Sequence, residues 1–309
     1  QVYVTLLHHL ERENIRDRSS HIINKPIGEI SNAEFKQLGE YLRMLKGPNY
    51  LEIMKYVKRA HNIAIRKNMA TNPLTYRYAE DAPVKSYEEL AKMNRGIASL
   101  SAYQIELFEN MDVSQINLPC PNSAFYKELY KDTCLLMFYL YSRPIDILNM
   151  QYSHIRSCSN GLYVEYLPIK KKNSTNAQKE FVRCPLSTKA LKIIDKYKNI
   201  SPAGYILPFS ENKKRWDLSD PEQYHTRFNR SNCMLGKVNS FLKKVAELLN
   251  ISFYNDTLTM YIFRHSAISI AITEHKIPPI VVAKMAGTSL KEIERSYMDH
   301  TINMFEYIK

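Results

Sequence analysis

The sequence predicts a mainly α-helical fold with a small β-hairpin, arranged as a short N-terminal helical domain and a larger C-terminal α+β domain. Apolar residues recur at helical spacing through most of the chain, and two neighbouring segments of strand-forming residues interrupt that pattern. The length of 309 residues exceeds what one hydrophobic core usually organises, which indicates two domains. A content of 45% hydrophobic and 24% charged residues is typical of a globular protein.

We predict four segments along the chain. Residues 1–22 form a lead-in, which could be the end of a longer arm or linker because the sequence starts at Gln1 and not at Met. Residues 23–84 form the helical domain, residues 85–97 a linker, and residues 98–309 the larger domain. The linker is assigned from its polar residues and its lysines.

The helical domain contains two predicted helices. The first begins near Ser31, a polar cap followed by an acidic residue in the first turn, and it ends at Gly47. The second runs from about Tyr50 to Lys67, with Leu51, Met54, Val57 and Ala60 on one apolar face. Its basic residues lie on the other faces: Lys55, Lys58, Arg59, Arg66 and Lys67. They form either a solvated surface or a contact for nucleic-acid phosphates, and the sequence leaves both open.

The larger domain is predicted to be mixed. Helices are expected near residues 101–111, 122–141, 144–150, 187–198 and 234–250. Residues 162–167 and 180–184 are rich in strand-forming residues and are separated by a turn-prone stretch, which predicts a β-hairpin. From Tyr261 onward the chain is again helical, with breaks at residues 276–279 and at Gly287.

Composition and charge narrow the class of partner. A net charge of +12 favours a polyanion, either nucleic acid or an anionic membrane surface. The longest apolar run, residues 134–141, is far shorter than the roughly 20 residues of a membrane helix, and no lipidation signal is visible, so nucleic acid is favoured. Five dispersed cysteines without a CxxC pair indicate neither a zinc site nor a disulfide framework, and they fit a reducing compartment. No phosphate-binding loop is present, which argues against a nucleotide-driven motor.

Four features of the larger domain fit one reaction on DNA. Arg143 opens the segment Arg143-Pro-Ile-Asp146, directly after the long apolar run. A cluster of three lysines, Lys170, Lys171 and Lys172, follows the first strand of the predicted hairpin. Tyr261-Ile-Phe-Arg264-His265 comes next. Last comes Ala286-Gly287-Thr288-Ser289, with Tyr297 nine residues after Thr288.

In order and spacing, these features resemble the catalytic domain of the tyrosine recombinases, the family of integrases from phages and from conjugative or mobile elements. The Arg143 segment resembles the Arg-x-x-Glu-Leu segment of that family, with Asp146 in place of Glu. The Arg264 segment resembles its His-x-x-Arg-His motif, and the Thr288 segment its Leu-Gly-His-Ser motif. Residues 26–84 resemble the helical core-binding domain of the same family.

The resemblance implies a site-specific recombinase that cuts and rejoins DNA through a 3′-phosphotyrosyl intermediate on Tyr297, without metal, ATP or another cofactor. Arg143 and Arg264 would hold the nonbridging oxygens of the phosphate, because the guanidinium fork suits phosphate geometry. Lys170, preferred over Lys172, would protonate the leaving 5′-oxygen, and Lys171 and Lys172 would contact DNA. Tyr261 and Thr288 stand where the family has histidines, which puts the rate in doubt more than the fold. We expect His265 to make a structural hydrogen bond, although a modified role for His265 or His300 stays open.

The implied partners are double-stranded DNA and three further copies of the chain in a tetrameric synapse, with an accessory DNA-bending factor left open. The apolar C-terminal segment, residues 304–308, would dock on a neighbouring copy or on its own domain. The expected location is the cytoplasm, on the nucleoid and not on a membrane. Two alternatives remain: a DNA-binding relative with a decayed site, and a type IB topoisomerase or telomere resolvase. The target sequence and the direction of recombination are not encoded in any motif that we can interpret.

Overall fold

The computed structural model describes residues 26–44, 50–78, 97–118, 122–169, 180–200, 203–212, 216, 220–253 and 257–297. The chain divides into two compact units, Gln1–Asn94 and Arg95–Lys309. No helix within the described ranges is both long and apolar enough to cross a membrane. The boundaries predicted at residues 22/23 and 84/85 fall outside these ranges, and the predicted bounds of the lead-in and the linker stay predictions.

The first unit contains helices α1 (Asn32–Met44) and α2 (Tyr50–Arg66), preceded by a short 3-10 turn. Helix α1 begins where predicted because Ser31 and Glu34 form a reciprocal cap: the Ser31 N–H donates to the Glu34 carboxylate at 2.8 Å, and the Glu34 N–H donates to the Ser31 hydroxyl at 3.2 Å. The two helices share a small core around Phe35, Leu38 and Met54.

The apolar face predicted for α2 is only partly correct. Leu51 is exposed, whereas His61 and Ala64 are buried together with Met54 and Val57. His61 lies in the core although histidine is polar, and its two ring nitrogens lie 2.7 Å and 2.8 Å from the carbonyl oxygens of Ile27 and Asn72. These contacts bring together segments distant in sequence, which the periodicity of a single helix cannot indicate.

The second unit is mainly helical. Its helices are α3 (Ala102–Asn110), α4 (Ser123–Tyr139), α5 (Pro144–Ile147), α6 (Thr188–Lys196), α7 (Pro221–Leu248), α8 (Met260–Thr273), α9 (Pro279–Ala286) and α10 (Leu290–Tyr297). Helices α4 and α8 pack against each other in the centre of the unit. Helix α7 begins well before the predicted start at residue 234, because the Asp220 side chain caps it and Pro221 occupies its first turn.

A three-stranded antiparallel sheet completes the second unit, with strands β1 (Ile155–Cys158), β2 (Gly161–Tyr166) and β3 (Val182–Pro185) in that order. Strands β2 and β3 pair as the sequence predicts, with Val164 opposite Cys184. Strand β1 was not predicted, because three of its four residues are exposed and the apolar alternation of a strand is absent from them. Helix α9 packs on β3, and this contact brings the sheet to the candidate site.

Candidate active site

Arg143 stands in the turn between α4 and α5. Helix α4 ends at Tyr139, and Pro144 begins α5 at a position where its missing N–H costs nothing, so Arg143 becomes the N-cap residue. Its Nη2 donates to the carbonyl oxygen of Gly287 at 2.8 Å, and its Nη1 lies 3.8 Å from Oδ2 of the buried Asp146. The side chain keeps 18% of its surface exposed, enough for one face to meet a ligand.

Arg264 lies inside the apolar helix α8 and is only 4% exposed. Its Nη1 donates to the carbonyl oxygen of Tyr141 and to that of Ala286, the latter at 2.9 Å. Burial lowers the pKa of Arg264, and the positive charge of Arg143 lowers it further. The two positive charges therefore act on each other.

The C-terminal end of α9 holds both arginines through backbone carbonyls, those of Ala286 for Arg264 and of Gly287 for Arg143. The partial negative charge at this helix end favours cations. Gly287 ends the helix with a φ of +63°, a conformation that favours glycine. A Cβ atom at this position would lie 2.4 Å from Cγ2 of Val182 on β3, so glycine is required here for space as well.

Tyr297 is the last residue of α10 and is partly buried beside the cluster that includes Ile268 and Val282. Burial raises the pKa of Tyr297 to about 12. The nearby charges of Arg264 and Arg143 act in the opposite direction and favour the phenolate. The positive charges of Arg264 and Arg143 thus act on the Tyr297 phenol, which stays protonated at neutral pH.

His265 hydrogen-bonds to the hydroxyl of Tyr297, with 2.5 Å between Nδ1 and the phenol oxygen. The rings of Tyr261, His265 and Tyr297 follow one another, with centroids 5.0 Å and 5.6 Å apart. Burial and the adjacent Arg264 lower the pKa of His265 to about 4, so its ring is neutral at pH 7. We expected a structural hydrogen bond for this residue, and the structure directs that bond to the hydroxyl itself.

The other predicted site residues are placed less centrally. Tyr261 begins the ring series and is 44% exposed. Thr288 is half-buried, and its N–H donates to the carbonyl oxygen of Ala283 at 3.0 Å, so it belongs to the turn that closes α9. Lys170, Lys171 and Lys172 lie outside the described residues, as do His300 and residues 304–308.

Asp146 connects the Arg143 turn to the start of the lysine segment. The N–H of Ile169, the residue before Lys170, donates to Oδ1 of Asp146 at 2.8 Å. The same carboxylate faces Arg143 through Oδ2. The sequence offers Asp146 as a carboxylate partner for Arg143, but nothing in the spacing shows that it also reaches a backbone group 23 residues further along the chain.

In the first unit, basic residues of α2 line one concave surface, which we call the α2 groove. Its lining residues are Lys55, Lys58, Arg59, Asn62, Ile63, Arg66 and Tyr78. Four of the five basic residues predicted on the second helix of this domain are thus brought together, whereas Lys67 lies just beyond the helix end and is not part of the lining.

No His, Cys, Asp or Glu cluster suited to a metal ion occurs within the part of the chain that the structure describes.

Comparison by sequence finds no match, either among protein-family models or among curated proteins. Comparison by structure finds several solved proteins. A lambda integrase fragment, solved as a dimer bound to a COC′ core site, superimposes with a TM-score of 0.56 at 15% identity, covering 90% of this chain and 83% of that one. The Tn1549 transposon integrase, in complex with circular intermediate DNA, gives 0.54 at 14% identity over 100% and 97% of the two chains.

The XerH site-specific recombinase bound to difH gives a TM-score of 0.53 at 12% identity, covering 94% of this chain and 73% of that one. All three neighbours are tyrosine recombinases. Identities this low carry an argument about the fold only, and the mostly helical second unit with its three-stranded sheet matches that of their catalytic domain. The chain has the fold of the tyrosine recombinases.

Proposed function

We propose that this chain is a site-specific recombinase that cuts and rejoins duplex DNA through a 3′-phosphotyrosyl intermediate on Tyr297. The observation that supports this most strongly is that the carbonyls of Gly287 and Ala286 hold Arg143 and Arg264 side by side, while both positive charges act on the Tyr297 phenol. Arg143 faces Asp146 on one side, but the buried Arg264 donates to carbonyl oxygens, so an anion between the two cations would offset their repulsion. A phosphodiester would supply that anion, and the neighbouring phenol would attack its phosphorus.

The proposed reaction conserves the energy of the broken bond. The oxygen of Tyr297 forms a bond to phosphorus, and the bond from phosphorus to the 5′-oxygen breaks. Arg143 and Arg264 stabilise the charge that grows on the two nonbridging oxygens. Lys170 would give the leaving 5′-oxygen its proton, a role that rests on the resemblance alone. The reverse of these steps rejoins the strand, so no ATP is needed.

The structural neighbours were solved in complexes with DNA, including a lambda integrase tetramer bound to a Holliday junction. We extend both features to this chain: duplex DNA as the partner and a tetramer as the working assembly, acting in the cytoplasm on the nucleoid. The α2 groove would contact phosphates, which fits the net charge of +12. Its binding is then expected to weaken steeply as salt is raised.

Covalent trapping tests the proposal. Duplexes selected for binding from a random-sequence pool would be rebuilt with a nick beside the bound centre, so that the cleaved end diffuses away. We expect a denaturant-resistant adduct of protein and DNA, which Tyr297→Phe abolishes while it leaves DNA binding unchanged. The absence of any adduct with wild-type protein would favour a DNA-binding relative whose active site has decayed. The presence of Tyr261 and Thr288 where the family has histidines is the observation that supports this alternative. Relaxation of plasmids without site preference would favour a type IB topoisomerase.

A further inference from the structure

We propose that His265 is the general base of strand cleavage, accepting the phenol proton of Tyr297 at Nδ1. The inference rests on the proposed function and deepens it, because it names the group that turns the phenol into a nucleophile. None of the motifs that carry the family resemblance assigns this task to His265. The positions at which the family carries its two active-site histidines are occupied here by Tyr261 and Thr288.

The geometry supports a proton transfer along an existing hydrogen bond. Nδ1 of His265 and the hydroxyl oxygen of Tyr297 are 2.5 Å apart, within the range in which a base accepts a proton directly. The ring of His265 contacts the rings of Tyr261 and Tyr297, which restricts its rotation. Its neighbour Arg264 is anchored to the carbonyl of Ala286, so the backbone that carries His265 is fixed as well.

The protonation states give the hydrogen bond its direction. Burial raises the pKa of Tyr297 to about 12, so the phenol keeps its proton at neutral pH and is a weak nucleophile. The pKa of His265, lowered to about 4 by burial and by Arg264, makes the imidazole neutral. With the ring proton on Nε2, the lone pair of Nδ1 accepts the bond that the Tyr297 hydroxyl donates.

The other side chains of the described site are poorer acceptors. Tyr261 is itself a phenol, and a phenol oxygen is a much weaker base than an imidazole nitrogen. The hydroxyl of Thr288 is not a base in this pH range. Glu292 lies on the same helix as Tyr297, but its carboxylate is held by Arg295 at 2.8 Å and by the hydroxyl of Ser296 at 3.0 Å. Within the described residues, His265 is therefore the group suited to take the proton.

Substrate binding would strengthen this base. The charged and titratable groups around the pair are Arg264 and Tyr261 on α8, Glu292 on α10 and Arg143 in the turn before α5. After burial, the positive charge of Arg264 is the second cause that lowers the pKa of His265. A phosphodiester bound between the two arginines would offset their charge, and the pKa of His265 would rise toward its ordinary value. The proton transfer thus becomes favourable when a phosphate is in place.

The proposed step is balanced. As the bond from the Tyr297 oxygen to phosphorus forms, the phenol O–H bond breaks and its proton moves to Nδ1 of His265. The bond from phosphorus to the 5′-oxygen breaks, and that oxygen takes a proton from the ammonium group of Lys170, the role that the resemblance implies. In rejoining, the 5′-hydroxyl attacks phosphorus and gives its proton back to Lys170, while the protonated His265 returns its proton to the departing phenol oxygen, so no other reactant is consumed.

His265→Asn separates basicity from hydrogen bonding. The amide oxygen of asparagine can accept the Tyr297 hydroxyl near the place of Nδ1, but it cannot hold the proton. We expect single-turnover adduct formation to slow by about 10²-fold, as is usual for the loss of a general base, with DNA affinity unchanged. His275→Asn is the matched control, since His275 is exposed just after α8, and it should cleave at the wild-type rate.

Fluorinated tyrosine at position 297 distinguishes a base from a structural contact. Fluorine makes the phenol more acidic, so it should restore most of the lost rate in His265→Asn and change the wild-type rate little. An equal effect of fluorine in both backgrounds, or wild-type cleavage by His265→Asn, would overturn the inference. If His265→Asn does not fold, fluorination of the wild-type protein still decides: a large acceleration would mean that the proton leaves unaided.

The wild-type protein and Tyr297→Phe test the proposed function independently of His265→Asn. A wild-type adduct that is lost in Tyr297→Phe upholds the proposed function whatever His265→Asn does. An adduct that persists in Tyr297→Phe, or never forms in the wild type, contradicts the proposed function and the inference together.

Discussion

Gly287→Ala tests whether the end of α9 holds the site together. The substitution places a Cβ in a backbone conformation with φ of +63°, which costs about 1–2 kcal/mol. The same Cβ would lie 2.4 Å from Cγ2 of Val182, and relieving such overpacking costs about 1–3 kcal/mol more. We therefore expect the free energy of unfolding of the second unit to fall by about 2–5 kcal/mol.

Two further variants separate these contributions. Gly204→Ala introduces the same kind of strain, at a φ of +76°, but among the described residues no atom beyond its chain neighbours lies within 4 Å of the added Cβ, so it should cost about 1–2 kcal/mol only. Val182→Ala removes the atom that the new Cβ meets. In that background Gly287→Ala should lose its steric cost, leaving a coupling energy of about 1–3 kcal/mol in the double-mutant cycle.

Unfolding in urea can be followed through Trp216, the single tryptophan, which is buried in the second unit. The Gly287 carbonyl also accepts the hydrogen bond of Arg143, so a shift of this turn should slow adduct formation in Gly287→Ala and not in Gly204→Ala. The reasoning is refuted if Gly287→Ala destabilises no more than Gly204→Ala, or if the cycle with Val182→Ala shows no coupling.

Three further predictions follow from the contacts of the site. Arg264→Lys should lower adduct formation by about 10²–10³-fold in the trapping assay, because one ammonium group cannot serve the carbonyls of Tyr141 and Ala286 and a phosphate together. Asp146→Asn keeps an acceptor for the Ile169 N–H but loses the charge that faces Arg143, so urea unfolding should show a loss of about 2 kcal/mol, and Asp146→Ala should lose more. Stability should also fall on acidification: the pKa of His265 is about 4 in the folded chain against an ordinary 6.5, so the unfolded chain binds more protons between these values. The contribution of His265 to the free energy of unfolding is fully present above pH 6.5 and is lost as the pH falls toward 4. The loss is at most about 3 kcal/mol, and about half of that once solvent screening is taken into account. Urea unfolding of His265→Asn should show a smaller pH dependence than the wild type, and an equal one would contradict the assignment.

Local patterns predicted most of the elements but not all of their contacts. The β2–β3 hairpin followed from strand-forming residues on both sides of a turn-prone stretch, and the break at Gly287 followed from glycine itself. Leu51 was assigned to the apolar face of α2, yet it is exposed. His61 is buried instead, because two backbone carbonyls from distant segments contact its ring nitrogens. Periodicity describes one helix at a time, so a polar residue that a distant segment satisfies escapes it.

In the candidate site, too, the sequence identified the residues but not the contacts that orient them. Spacing identified Arg143, Arg264 and Tyr297, but the groups that orient both arginines include backbone carbonyls, to which any residue type contributes equally. The pairing of His265 with Tyr297 depends on how α10 rotates against α8. Ile293 is fully buried in the cluster with Ile268 and Val282, and Tyr297 lies one helical turn later on the same face. The burial of Ile293 thus directs the hydroxyl of Tyr297 toward His265, and a histidine that the motif leaves unassigned becomes the nearest base to the proposed nucleophile.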